Sequence, residues 1–379
     1  MSHPEEFKHL NAEITSHLPH LGKCLIYVLS LYVWGMVVMQ HCGQSRIATF
    51  LSGLMGCSFG SMKQRLREFT YESEHKQGEC RQEVEVKTCF APLLTWVLSK
   101  FRGEHKQLVL AMDATYLKDR FIILAVSVVV AGCAIPVAWH IQAAHQKGKW
   151  NPIWFSLLAI LKSAIPNDWQ VFVLSDSGLY AKPLFRYLHQ QDWMALMRIN
   201  WTQGMFQVKG SQDWIALRRF VHRGMKPLVL EGQCFKGKPI SCTLIFQWEA
   251  QYEQPCLVVS NIAPEPLEHN IYAIRYWIEC GFKDVKRGFF HWEQTKMTGP
   301  LRAERLWLVI SIALLWLTCV GEAASDLAQW QSLADARPQA RILSAPLLGW
   351  IALIIRLLKG QSLTFGYLNP YPWLPLPEE

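Results

Sequence analysis

Three carboxylates stand out in the 379-residue chain because of where they fall. Asp113 follows the apolar run Leu108–Ala111 and Met112, and Asp176 follows Val171–Leu174 and Ser175. Each closes a predicted buried strand, a costly position for a charge unless it faces a site. Two such charges brought together repel, and a divalent cation relieves the repulsion. The third carboxylate, Glu279, lies in a stretch with helical periodicity, Leu267–Arg287. With Tyr272 set at zero and ~100° per residue, Arg275, Glu279 and Lys286 fall near −60°, −20° and −40°, so all four share a ~60° stripe. Ile271, Ile274, Ile278, Phe282 and Val285 centre near −120° on that wheel, on the adjoining face. One helix would therefore pack its apolar side on a sheet and aim an acid, flanked by two cations and a tyrosine, past the sheet edge. The plainer alternative is a surface ladder of ion pairs. No nucleophile elbow or Cys/His dyad accompanies these residues.

Positioning them requires a sheet. From Leu108 the pattern is strand-like: Leu108–Ala111, then Phe121–Val130 and Ala134–Trp139 as a hairpin about Ala131-Gly132. An amphipathic helix, Asn151–Ser163, precedes the strand Val171–Leu174, and a helix, Ala181–Gln191, precedes the strand Trp193–Ile199. Three strands, helix, strand, helix, strand is the order of a ribonuclease-H-like sheet, in which the first and fourth strands are parallel neighbours. Their ends would bring Asp113 and Asp176 together. The fold class is thus mixed α/β, a ribonuclease-H-like core with an inserted β-rich subdomain and flanking helical regions. We divide the chain into a helical N-terminal region (1–106), the first part of the core (107–199), a basic β-rich insertion (200–262), the second part of the core (263–322) and a C-terminal helix with an extended tail (323–379). In the N-terminal region, Gln44–Leu54 and Ser58–Phe69 around Met55-Gly56-Cys57 have the form of a helix-turn-helix that would display Lys63, Arg65 and Arg67. Two packed core helices would read the same way.

Composition narrows the class. Hydrophobic residues make up 51% and charged residues 18%, with 17 Trp, which excludes a disordered chain. Mean hydropathy is +0.08, so a multi-helix membrane protein is a competing reading. The apolar runs Leu25–Met39, Leu306–Val320 and Ala345–Leu358 fall short of the ~20 residues a spanning helix needs, and Phe121–Trp139 reads better as two buried strands. Eleven scattered cysteines without zinc spacing suggest reduced thiols and a cytoplasmic protein. The N-terminus is polar and mixed in charge, unlike a signal peptide. Of the net charge of +8, residues 195–240 carry +6, from eight Lys/Arg and two acids. Those cations alternate with Trp201, Phe206, Trp214 and Phe235, a pattern that suits nucleic acid.

The spacing Tyr272-(2)-Arg275-(3)-Glu279-(6)-Lys286 resembles the Tyr-Arg-Glu-Lys signature of bacterial insertion-sequence transposases of the DDE class. That family carries a β-strand insertion between its second Asp and its Glu. The resemblance covers roughly 108–320. Asp176-Ser-Gly178-Leu-Tyr180 is similar to the family's motif around the second Asp, with Ser177 where members often have Arg or Lys. The helix at Arg302-Ala-Glu-Arg305-Leu-Trp also fits. The resemblance implies a cut-and-paste transposase that cleaves transposon ends and joins the freed 3′-OH to target DNA. Asp113, Asp176 and Glu279 would be its catalytic triad and would hold two Mg²⁺ ions, with Mn²⁺ as substitute. Arg275 and Lys286 would hold phosphates beside the scissile bond, and Tyr272 would contact a phosphate or pack below it. Arg198 matches the placement of a DNA-contacting Arg, Arg218 and Arg219 would add backbone contacts, and Trp248 or Trp201 would stack on a flipped base. The implied partners are terminal inverted repeats, target DNA and a second copy of the chain in a synaptic dimer, with no membrane. An inactive relative that only binds DNA is the alternative.

Overall fold

The computed structural model describes residues 5–370 apart from 78–80, 147, 180, 266, 268–270, 328–329, 331–342 and 363. Tyr180, most of the expected linker and the end of the tail lie outside the described residues.

Five helices precede the sheet: α1 (Glu5–His17), α2 (Lys23–Met39), α3 (Gln44–Met55), α4 (Phe59–Phe69) and α5 (Val86–Ser99). α2 is apolar on nearly every side and buried, packed against α1, α3 and the long helix α9 described below. The two helices of the expected helix-turn-helix form as predicted, which packed core helices would also do. α3 stops at Gly56, which takes the left-handed conformation (φ 61°), and α4 starts at Ser58, whose Oγ accepts from Ser61 N at 3.1 Å.

The strands are β1 (Gln107–Leu117), β2 (Phe121–Val130), β3 (Cys133–Ala143), β4 (Gln170–Ser175), β5 (Met194–Arg198), β6 (Met205–Val208), β7 (Ile215–Ala216), β8 (Met225–Cys234), β9 (Ile240–Trp248) and β10 (Cys256–Ser260). β2 and β3 form the expected hairpin. Its two-residue turn, Ala131 (φ 56°) and Gly132 (φ 72°), is of the twisted kind that tight hairpins favour. Pro136 sits where the β2–β3 register shifts, a place where a missing N–H does no harm. The helices α6 (Asn151–Lys162) and α7 (Lys182–Gln190) make the crossovers that set β4 beside β1 and β5 beside β4, both parallel. The order β3-β2-β1-β4-β5 is the ribonuclease-H-like order expected.

Two features go beyond expectation. The expected β-rich insertion is not set apart from the core but extends its sheet. β10 pairs antiparallel with β5, and β9, β8, β6 and β7 follow, so all ten strands form one sheet. The open edge of β5 would otherwise leave unpaired backbone groups, and β10 covers it. The stretch Leu267–Arg287 is not one regular helix either. It runs as a 3₁₀ turn (Ile271–Arg275), α8 (Tyr276–Lys283) and a π turn (Asp284–Gly288). Gly281 lets α8 press onto β3, since a Cβ there would lie 2.9 Å from Ala134 O.

α9 (Pro300–Ser325) is longer than the predicted Arg302–Val320, starting with Pro300 in its first turn and running into the expected linker. Among the described residues it is the single helix with the length and apolarity to cross a membrane, and 94% of its most apolar window is buried inside the fold. It packs on β3 and against α10 (Ala345–Leu358). Gly321 and Gly349 let those two backbones touch, because a Cβ on either would come within 1.9 Å of a carbonyl oxygen of the other helix.

Candidate active site

Register places the first two carboxylates. Met112 of β1 pairs with Ser175 of β4, so the next residue of each strand, Asp113 and Asp176, emerges at the same level. β1 does not end at Asp113 as expected. It continues to Leu117 along β2 alone, and Asp113 marks the point where β1 parts from β4. This crevice beyond the carboxyl ends of parallel strands is where open α/β sheets place ligands.

The Arg275 guanidinium lies between the acids and is 7% exposed. Its Nη2 donates to Asp113 Oδ2 at 2.8 Å and lies 3.9 Å from Asp176 Oδ2, while Nη1 donates to Glu279 Oε1 at 2.8 Å. The triad predicted from sequence is therefore gathered, around a cation of the chain itself. Burial pushes the Asp113 carboxyl up to about 6, against the pull of Arg275 and of the Ala114 N–H that donates to its Oδ1 at 2.8 Å. Burial works against the charge on Arg275, but Tyr272, Asp113, Glu279 and Asp176 together hold its pKa above the usual guanidinium value.

Tyr272 packs below the acids. Its buried hydroxyl donates to Ser175 O at 2.9 Å, and burial raises its pKa. Lys286, carried by the π turn, donates to Thr115 Oγ1 at 2.5 Å, and burial lowers its pKa. Thr115 is two residues beyond Asp113 and so shares its face of β1. Sequence reasoning missed Thr115, although strand alternation from Asp113 was enough to flag it. It also missed Ser175, whose buried Oγ has no hydrogen-bond partner among the described residues. Arg198, at the end of β5, reaches to 3.8 Å from Asp176 Oδ1. Arg218 and Arg219 are exposed on a 3₁₀ turn of the insertion, away from this cluster in sequence and paired with no acid among the described residues. Trp248 and Trp201 lie 5.5 Å apart and tilted, with Trp248 Nε1 donating to Tyr252 O. Arg305, part of the family-like helix motif, is instead a buried anchor that donates to Val84 O and Thr70 O.

The donor set is all carboxylate oxygen, which suits a hard cation such as Mg²⁺. Among the described residues Asp176 Oδ1 is buried and accepts no hydrogen bond, with Arg198 Nη1 3.8 Å away. Among the described residues no three acids, histidines or cysteines are close enough together to hold one ion as they stand. The acids fit divalent ions once the Arg275 side chain turns out from between them.

Comparisons with known proteins bear on the stretch that carries two of these acids. Residues 156–316 match the family model described as "Transposase DDE domain". The matched stretch includes Asp176 and Glu279 and begins after Asp113. Among solved structures, the chain is similar to a piggyBac transposase in a synaptic complex with hairpin DNA, at 10% identity and a TM-score of 0.42, covering 92% of this chain and 76% of that one. No curated protein matches.

Proposed function

We propose that this protein is a cut-and-paste DNA transposase of the DDE class, of bacterial insertion-sequence type, with Asp113, Asp176 and Glu279 as its catalytic acids. The observation that carries this reading is the Met112–Ser175 register, which sets two acids side by side, with Glu279 joined to them through Arg275. The three carboxylates would hold two Mg²⁺ ions, which when bound lower the pKa of a water and stabilise the departing 3′ oxygen of the scissile phosphodiester. The chain's own residues do the rest. Arg275, freed from the acids, offers a planar fork to phosphate oxygens, and Lys286 offers a point charge at the level of Thr115. Tyr272 holds the Ser175 carbonyl and so fixes the strand end that carries Asp176. The exposed Arg218 and Arg219 and the Trp201–Trp248 pair give the insertion a surface for the backbone and bases of a transposon end. Synapsis of two ends calls for a dimer on DNA, formed at the nucleoid of a bacterial cytoplasm.

The test uses duplexes made from the DNA flanking the gene, with Mg²⁺ or Mn²⁺ and gel-resolved strand products. Asp113→Ala, Asp176→Ala and Glu279→Ala should each abolish cleavage and leave binding of the duplex intact, because such groups act as one unit. Near-normal cutting by any of the three removes that residue from the triad, and uncut DNA with the wild-type protein overturns the reading.

A further inference from the structure

A second basic site lies outside the acid cluster, where the N-terminal helices meet the loop that leads into α9. It is a cleft of 500 Å³, lined by Arg46, Lys63, Lys296 and Arg302 and by no acid. Among the described residues none of these four cations is ion-paired with a carboxylate. Arg46 and Lys296 are exposed on the rim. Arg302 lies deeper, its guanidinium 4.5 Å over the Tyr71 ring and its Nε buried with no hydrogen-bond partner. Four like charges gathered without a counter-charge repel one another, which is tolerated where an anion is expected.

The backbone adds to the same potential. α3 is preceded by Gly43 and α9 by Gly299 at the N-cap position, and neither start has a side-chain cap. Residues of both first turns line the cleft. The positive ends of two helices of 12 and 26 residues therefore border the space that the four cations surround.

The walls are held in place before any ligand arrives. Arg120, in the β1–β2 turn, donates to Thr295 O at 2.6 Å, Met297 O at 2.9 Å and Glu293 O at 3.3 Å. From the other side, Cys42 N donates to Phe290 O at 2.8 Å and His41 is hydrogen-bonded to Gln294. Arg120 and Cys42 thus hold the carbonyls of Glu293, Thr295, Met297 and Phe290. The loop is the direct continuation of the segment that carries Glu279 and Lys286, which ties the cleft to the candidate active site.

We propose that this cleft binds adjacent phosphates of a DNA backbone and so positions a duplex between the N-terminal helices and the catalytic core. The proposal rests on the transposase reading for its ligand, since four cations around one cleft with no acid suit several phosphates better than one small anion. Of the helix-turn-helix cations, it assigns Lys63 to the backbone and leaves Arg65 and Arg67 outside the cleft.

The test is fluorescence anisotropy of a short duplex of arbitrary sequence, titrated with the full chain between about 50 and 200 mM salt. Arg46→Ala combined with Lys296→Ala removes two exposed side chains and should leave the melting temperature unchanged. The slope of log affinity against log salt should fall by ~1.8, at ~0.9 for each phosphate no longer neutralised. A control pair, Arg356→Ala with Lys359→Ala at the end of α10, removes the same net charge and should leave the slope unchanged. An unchanged slope in the Arg46/Lys296 variant, with wild-type binding intact, overturns the cleft and leaves the transposase reading standing. An equal drop in the control pair reduces the effect to net charge and also overturns it. Absence of DNA binding by the wild-type chain overturns both.

Discussion

Arg275 gives the sharpest test of how the acid cluster is balanced. Replacing it with Gln keeps much of the side-chain volume and removes the charge that lies between Asp113, Asp176 and Glu279. Arg275 is 7% exposed and Asp113 is likewise largely buried, so the change leaves a buried carboxylate without its cationic partner. Breaking a buried pair in this way costs about 3–5 kcal/mol. At roughly 2.1 cal/mol/K per residue, the unfolding entropy of this 379-residue chain is about 0.8 kcal/mol/K. The melting temperature in EDTA should then fall by about 4–6 °C. Glu279→Gln serves as the comparison. Its side chain is 50% exposed, and an exposed pair contributes under about 1 kcal/mol, so the shift should stay near 1 °C. Mg²⁺ should then separate the variant from the wild type. With the guanidinium gone the acids are free to take the ion, and at a hundredfold over Kd the gain is about 2.7 kcal/mol, or about 3 °C. The wild type must first displace its own cation, so its gain should be smaller. Differential scanning fluorimetry with EDTA followed by Mg²⁺ reads both effects. A variant that melts with the wild type in EDTA refutes the buried pairing. A variant that gains no more from Mg²⁺ than the wild type refutes competition between guanidinium and metal.

Asp113, with its folded pKa raised from 3.8 to about 6, contributes stability that is fully present below pH 3.8 and is lost as pH rises through 6, about 3 kcal/mol in all at 1.36 kcal/mol per unit. Urea melts in EDTA across that window should show the decline, and Asp113→Asn should flatten it. Gly349→Ala forces a Cβ to within 1.9 Å of Leu317 O, so α10 must move off α9. A loss of about 3 kcal/mol is expected, at the upper end for overpacking, and a thermal melt indistinguishable from wild type would contradict the close approach. Arg218→Ala with Arg219→Ala should lower the salt slope of DNA binding by up to ~1.8, whereas an unchanged slope would make that turn a solvated face.

The sequence by itself determined what short-range periodicity can encode. Unbroken apolar runs ending in Asp113 and Asp176 marked two buried strands, although β1 runs on past Asp113 to Leu117. Ala131-Gly132 marked the tight hairpin, Gly56 and Ser58 marked the α3–α4 turn, and the order of elements gave the ribonuclease-H-like core. Spacing alone also put Tyr272, Arg275, Glu279 and Lys286 on one stripe, even though the segment is partly 3₁₀ and partly π. The partners of these side chains were decided by tertiary structure. Arg275 meets Asp113 across 162 residues, and Lys286 meets Thr115 across 171. Strand order in the core does not say whether a β insertion folds back on itself or extends the sheet, and the free edge of β5 decided that. Burial decided that Arg275 serves as the counter-ion of the three acids, because a cation spaced to reach one acid in sequence lies among three once β1, β4 and α8 converge. The cleft under α3 and α9 has the same origin. Arg46, Lys63, Lys296 and Arg302 are scattered in the chain and look like ordinary surface charge, and only packing brings them around one space without an acid between them.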